Sequence, residues 1–372
     1  MIVRFLSCNS YTYRIILFIS LGLGGGLGIG NVCAALNRLA VPEIGVYTGA
    51  YVEFGETEDD VTAEGLSNFE TLVGKRLAVV AFSSYWGQRS FPLGQLRTVA
   101  ARGAVPLIFW SPWDQPYEEA HPEQGRTPPR NRINLYVILS GKFDTYIDRW
   151  ADAAKAYGQP MLVAWGLEMN GQWFPWSGFF HGAGKQVKGQ QGYLGPETYK
   201  HAYRYVVDRV RARGAMNISW VFQTNGYSVP QAPWNRVTEY YPGPDYVDWL
   251  GMSAYGKQFS DENWVSPAEA MDYPYQEIAS VDSTKPVILA EWGIGEYPKS
   301  GSKAQYIHDA LALITSHYSR IKAAVFWHEH WQNEDGSFSD LRVTSSPSAL
   351  EEYRRGIAGP LWLDQPKFDQ TH

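Results

Sequence analysis

The 372-residue chain is long enough for one large domain, carries a formal net charge of −6 and is 45% hydrophobic. That balance suits a globular protein with a sizeable core, and no Lys/Arg stripe offsets the negative charge, so a nucleic-acid partner is disfavoured. Both cysteines, Cys8 and Cys33, lie near the N-terminus, so the rest of the chain offers no disulfide, thiol nucleophile or cysteine-ligated metal.

In chain order, Arg4 and Arg14 precede an apolar run from Ile15 to Ile29, and Val32-Cys33-Ala34 ends like a small-residue cleavage site. Residues 1–34 therefore read as a secretory signal, which implies a secreted or periplasmic protein. The run is short and glycine-rich for a membrane span, so no stable membrane insertion is expected once it is cleaved. A retained N-terminal anchor is the alternative.

Residues 35–372 show neither a solenoid repeat nor a low-complexity linker and read as one domain. Eight apolar runs succeed one another: Ile44–Tyr47, Leu77–Phe82, Val105–Trp110, Met161–Trp165, Ile218–Phe222, Tyr246–Ser253, Pro286–Ala290 and Ile321–Trp327. Near-continuous apolar content is the pattern of parallel strands buried on both faces. Helical stripes separate most of them. Phe143, Tyr146, Ile147, Trp150, Ala154 and Tyr157 recur at three and four, and Gly158 stops them. Pro196 to Gly214 reads the same way, and Ala304, Ile307, Leu311 and Ile314 mark another helix. Gly49–Gly65 is acidic with little periodicity and is the weakest unit. The alternation predicts an α/β fold, a single-domain (β/α)8 TIM barrel with long loops at Pro112–Arg132 and Phe174–Gly195 on the active face.

Two runs carry the chemistry: Trp165-Gly-Leu-Glu168-Met-Asn-Gly-Gln-Trp173 and Ile288-Leu-Ala-Glu291-Trp-Gly293. Each sets one glutamate after a strand, the fourth and the seventh. Two carboxylates at strand C-termini, about 5–5.5 Å apart, are what a retaining glycosidase needs as proton donor and nucleophile. Glutamates that merely end strands as solvated or salt-bridged groups are the plain alternative. The chain's 15 Trp, 24 Tyr and 16 Phe suit a cleft in which sugar rings stack on aromatic planes, although large barrels share this enrichment without one.

Glu168-Met-Asn-Gly-Gln-Trp173 resembles the acid/base motif of glycoside hydrolase family 26, which includes β-mannanases and mixed-linkage β-glucanases. Lys285-Pro-Val-Ile-Leu-Ala-Glu291-Trp-Gly293 resembles its nucleophile motif, and Tyr240–Tyr255 its sixth-strand region. The resemblance covers most of residues 40–355. It implies Glu168 as acid/base, Glu291 as nucleophile, and a hydrogen bond from Tyr255 that orients Glu291. The family usually has a histidine just before the acid and an arginine four residues before it. Here those places hold Leu167 and Ala164, which puts the usual mannan specificity in doubt; Trp165 or a loop residue could fill the vacated space.

Trp173, Trp176, Trp292 and Trp327 follow or end strands and could be sugar platforms or packed anchors, with Trp327 and Trp173 favoured as platforms. Trp110 and Trp113 could line the outer cleft. Asn170 holds the acid loop or binds a hydroxyl, and Asn225 follows strand five as a further sugar contact. His328-Glu-His330 has ligand-like spacing, but no third ligand set is evident, so cleft lining or backbone bonding is expected and no metal. The expectation is a monomeric retaining endo-β-glycosidase, without cofactor, acting on a mannan- or glucan-like polysaccharide or a bacterial exopolysaccharide. The alternative is a non-catalytic carbohydrate-binding protein on a degenerate barrel.

Overall fold

Gly45 turns the chain into its first strand with φ +92°, a region that favours glycine, and a Cβ there would meet the Leu361 carbonyl at 2.7 Å. The computed structural model of the protein describes residues 38–55, 57–114, 133–189, 191–333 and 335–369. The proposed signal at 1–34 and most of the Pro112–Arg132 loop lie outside the described residues. Leu36–His372 forms one compact unit.

Eight parallel strands follow: β1 (Val46–Val52), β2 (Val79–Tyr85), β3 (Val105–Ser111), β4 (Met161–Trp165), β5 (Ile218–Asn225), β6 (Trp249–Tyr255), β7 (Val287–Gly293) and β8 (Ile321–His328). They pair in sequence order, and β1 pairs β8 from Tyr47↔Ala323 to Val52↔His328, which closes the barrel. This is the expected (β/α)8 barrel. Each apolar run holds one strand; β1, β4 and β7 are buried at every position because helices cover the outside and side chains fill the inside. The first strand starts later than Ile44, which is 76% exposed in the bend before it.

The helices start and stop where local chemistry dictates. Helix α1 (Ala63–Val73) is capped by the Thr62 side chain, and Gly74 ends it in the left-handed region. Next come α2 (Leu93–Ala101), α3 (Leu135–Leu139) and α4 (Asp144–Tyr157), the last stopped by Gly158 at φ +67°. Helix α5 (Leu194–Ala212) covers the expected Pro196 stripe, and the short α6 (Val237–Tyr240) precedes β6. A Ser266–Glu269 capping box opens α7 (Pro267–Val281). Helix α8 (Lys303–Ser316) buries Ile307, Leu311 and Ile314, and α9 (Pro347–Ile357) packs on it. No helix among the described residues is long and apolar enough to cross a membrane.

Two features lie outside the eight-strand expectation. After β8 a small antiparallel hairpin, β9 (His330–Gln332) with β10 (Phe338–Asp340), stands over the barrel mouth. At the opposite end, β11 (Trp362–Leu363) pairs with the start of β1, and Leu39 bridges Phe368. Arg38 donates to Asp248 at 2.7 Å and Lys322 to the Glu43 carbonyl at 3.1 Å, so the segments 38–45 and 361–369 close the base of the barrel.

Candidate active site

Two local irregularities aim the two glutamates. Directly after β4, Gly166 at φ +57° and Glu168 at φ +51° make a left-handed turn. For a glutamate this conformation costs on the order of 1–3 kcal/mol, a kind of strain that clusters at functional sites. The turn is pinned from both sides: the Glu168 N–H donates to the Gln223 carbonyl at 2.9 Å, and Trp176 Nε1 donates to the Leu167 carbonyl at 2.6 Å. In β7 the register against β6 jumps from Met252↔Leu289 to Ser253↔Glu291, leaving Ala290 as an extra residue. Such a bulge rotates the strand and re-aims the next side chain. It turns Glu291 toward Gln223 and Tyr255.

Both carboxyl groups are buried, Glu168 at 8% and Glu291 at 9% exposure. Glu291 accepts from Tyr255 Oη at 2.9 Å and from Gln223 Nε2 at 2.8 Å. Glu168 accepts from Trp173 Nε1 at 3.0 Å and is hydrogen-bonded to Ser253. Gln223 Nε2 also lies 3.2 Å from Ser253 Oγ, so one amide and one hydroxyl link the two glutamates. Gly171 makes the Trp173 contact possible: a Cβ there would sit 2.5 Å from the indole ring.

Burial pushes both carboxyls up, Glu291 to about 8, where the neighbouring Glu168 charge adds to it. The hydrogen bonds from Tyr255 and Gln223 pull Glu291 the other way, as those from Ser253 and Trp173 do for Glu168. Two buried carboxyls coupled in this way titrate as a unit, with the charge on Glu168 helping to keep a proton on the pair. A third carboxylate, Glu329, accepts from Trp327 Nε1 at 2.6 Å and also repels charge on Glu291.

Residues 133–300, which contain both glutamates, match the model of "Glycosyl hydrolase family 26". The chain is 31% identical over 317 residues to "Endoglucanase H" of Acetivibrio thermocellus, covering 84% of this chain and 30% of that protein. The chain belongs to glycoside hydrolase family 26. It is also 34% identical over 169 residues to "Mannan endo-1,4-beta-mannosidase" of Bacillus subtilis, covering 44% of this chain and 40% of the relative. The chain thus spans 30% and 40% of the length of these two curated relatives. Among solved structures, the Cellulomonas fimi endo-beta-1,4-mannanase double mutant superposes with TM-score 0.59 at 19% identity, covering 86% of this chain and 72% of that one. The catalytic domain of a Bacillus sp. endo-beta-1,4-mannanase gives 0.60 at 17%, covering 86% and 87%. At these identities the likeness establishes the barrel.

Within this family 26 chain several expected sugar contacts fall elsewhere. Trp110 is wholly buried, donates to Tyr146 Oη at 3.0 Å and stacks on Trp150 of α4 at 4.0 Å. Trp292 is buried edge-on against Phe326, and Trp113 and Trp176 pack on one another beneath the loop after β4. These four anchor the barrel and its loops and present no face to a ligand. Trp165 packs between β4 and α5 on Tyr199 and Tyr203, so it does not fill the space beside Leu167 and Ala164. Asn170 is fully buried and ties the acid loop to the next one: its Nδ2 donates to the Asn225 carbonyl at 3.0 Å and its Oδ1 accepts from the Asn225 N–H at 2.9 Å.

Trp173 is half-buried over Glu168. Trp327 stacks one face on Tyr51 at 4.1 Å and keeps 7% exposure. Burial holds His328 neutral, down at about 3, and its Nδ1 accepts from the Val343 N–H at 3.1 Å. His330 stacks on Phe338. No group of three His, Cys, Asp or Glu among the described residues is arranged to hold a metal. Gln223 and Ser253, absent from the expectations, are the polar links of the site; a glutamine interrupting an apolar strand and a serine two residues before Tyr255 were the available signals.

Proposed function

We propose that the protein is a retaining endo-β-glycosidase acting on a β-linked polysaccharide by double displacement. Glu291 attacks the anomeric carbon while Glu168 gives its proton to the departing glycosidic oxygen, leaving a glycosyl ester on Glu291. Glu168 then takes a proton from water, which attacks the same carbon and releases Glu291 with retained configuration. The observation that carries this reading is the convergence of two buried carboxyls on the shared Gln223–Ser253 link.

Each glutamate has one partner that only donates, the Gln223 amide on Glu291 and the Trp173 indole on Glu168, and one hydroxyl, Tyr255 or Ser253, that can donate or accept. These partners leave the shared proton free to reside on either group, and the division of labour rests on the family 26 motif that each glutamate belongs to.

A glucan-like substrate is better supported than plain mannan. Leu167 is 6% exposed and has no side-chain donor, so a sugar hydroxyl buried against it costs roughly 1–3 kcal/mol. The relative named an endoglucanase also aligns over far more of this chain than the mannosidase does. The signal-like residues 1–34 support a secreted or periplasmic location, and the reading needs neither cofactor nor partner chain.

The test is a screen of the protein on mannans, β-glucans, xylans and bacterial exopolysaccharides, followed by the anomeric configuration of the first product. Glu291→Ala should abolish all turnover. Glu168→Ala should keep first-step activity on an activated aryl glycoside and recover with azide. Inverted product, or azide products with the configurations of exchanged roles, overturns the assignment. Binding without any hydrolysis identifies a carbohydrate-binding barrel instead. Turnover of plain mannan with kcat/KM at or above about 10⁴ M⁻¹s⁻¹ refutes the significance given to Leu167.

A further inference from the structure

Residues 338–343, which begin with β10, form a strap across the ends of three strands. Ser339 Oγ donates to the Gln258 carbonyl beyond β6 at 2.7 Å. Beyond β7, the Glu296 N–H donates to the Asp340 carbonyl at 3.1 Å. At the end of β8, the Glu329 carbonyl accepts from the Leu341 N–H at 2.9 Å, and His328 Nδ1 accepts from the Val343 N–H at 3.1 Å. Leu341 packs on Gly293, where a Cβ would come within 3.2 Å of its Cδ2. Gly293 closes the strand that carries Glu291, so the seat of the strap adjoins the reacting centre.

Lys303 fastens this strap. It is 1% exposed, and its Nζ donates to the carbonyls of Asp340 at 2.9 Å and Arg342 at 2.8 Å. The place is a poor one for a cation. Lys303 is the first residue of α8, where the helix dipole opposes positive charge. The Asp340 carboxylate is forked by Arg342, at 2.9 Å to Nε and 2.8 Å to Nη2, so Lys303 is left with two neutral carbonyls and a guanidinium for company. An uncharged amine still has two N–H groups for those two carbonyls and avoids the cost of burying a charge.

Burial accordingly brings Lys303 down to about 7, against the pull of Asp340 and Glu296 and with the help of Arg342. On β8, His328 stays neutral through this range, down at about 3. Lifting the strap returns the amine to water and to its ordinary value of about 10.4. The lifted state then binds the proton more tightly than the seated one. Each unit of acidification from about 10 to about 7 therefore favours lifting by up to about tenfold, and the gain levels off below about 7.

We propose that Lys303 is a proton-operated latch: uncharged, it seats the strap 338–343 across the ends of β6, β7 and β8, and on taking up a proton it releases the strap from the barrel mouth. The device is separate from the chemistry of the two glutamates, and its consequence for turnover is that long substrates are gripped better on the alkaline side.

Hydrogen–deuterium exchange of peptides covering 338–343, corrected for the intrinsic pH dependence of exchange, tests the latch directly. Protection of the strap should rise about tenfold from pH 6 to pH 8, while a peptide from β4 stays unchanged. Lys303→Gln and Lys303→Met carry no titrating group and should show the same strap protection at both pH values; retained β4 protection certifies that they fold. His330→Gln, which removes the histidine of the neighbouring β9, should behave as the unaltered protein. Strap protection that is constant or falls with pH, a rise that survives in both Lys303 variants, or a rise that vanishes in His330→Gln overturns the latch. In turnover, the ratio of kcat/KM on a polysaccharide to that on a single-sugar aryl glycoside cancels the titration of the glutamates. It should rise from pH 6 to pH 8 in the unaltered enzyme and stay flat in Lys303→Gln; equal behaviour of the two overturns the link to substrate. If the glycosidase reading itself fails, nothing is cleaved and the exchange data still decide the latch.

Discussion

The two ends of the candidate site are built from different materials. Glu291 belongs to the barrel wall, turned by the Ala290 bulge and gripped by Tyr255 from β6 and Gln223 from β5. Glu168 stands beyond its strand on a left-handed turn, under an indole and beside a serine hydroxyl. The contrast matches what double displacement asks of each group. A nucleophile must hold one position, so anchorage in the rigid barrel wall suits it. An acid that later acts as base must lose and regain a proton, and a turn beyond the strand end leaves it room to do so. Placement in wall or loop thus follows from the proton traffic each carboxyl carries.

Shortening each side chain by one methylene separates the two supports most sharply. Glu291→Asp should lower kcat about 10³-fold, because the wall cannot follow the retreating carboxylate and a misplacement of about 1 Å already costs about 10²-fold. Glu168→Asp should lose only about 10- to 100-fold, its turn taking up part of the gap. Equal losses in single-turnover kinetics break the comparison.

Tyr255→Phe removes one of the two donors to Glu291 and should reduce kcat about 100-fold, the scale of losing one well-aimed donor to a developing charge. A loss under threefold would mean that Gln223 alone holds the nucleophile.

The effect of Trp173→Phe is smaller and has a sign. The indole hydrogen bond favours ionised Glu168, so its removal raises the Glu168 pKa, and the proton needed for leaving-group departure persists to higher pH. The alkaline limb of the kcat/KM profile should move upward; a downward move shows that the bond favours the neutral acid.

The smallest effect is on stability. Because burial and the Glu168 charge push Glu291 up to about 8, the folded protein keeps one proton on the Glu168–Glu291 pair in a window where an unperturbed glutamate, at about 4.3, has lost it, so the folded state binds more protons than the unfolded chain there. Stability linked to this group is therefore full at low pH and lost as pH rises toward 8. Glu291→Gln carries no such loss, so its melting temperature should gain on that of the unaltered protein between pH 5 and pH 8. A constant difference over that interval would place the shared proton elsewhere.

The barrel was legible because buried parallel strands write themselves as apolar runs, and the runs at Met161–Trp165 and Ile321–Trp327 coincide with β4 and β8 to within a residue. Glu168 and Glu291 were legible as carboxyls ending such runs. The tryptophans were not, since proximity to a strand end does not tell which face a side chain takes. Alternation could have told: Glu291 faces the mouth, so its neighbour Trp292 must face the helices, as it does. The Ala290 bulge leaves no mark in a run of small and apolar residues. The two-residue β11 has no periodicity to read, and its pairing with β1 joins segments far apart in sequence.

That distant pairing has a practical side. Segments 38–45 and 361–369 knit together at the base, where Ala40 N–H reaches the Lys367 carbonyl at 2.9 Å and Asp369 N–H the Arg38 carbonyl at 3.0 Å, while the glutamates open at the opposite end. A linker fused after Asp369 starts from the closed end of the barrel. A catalyst coupled to a bead or fibre through such a linker keeps its cleft turned toward the solution and the polymer, so immobilisation there leaves the working face unobstructed.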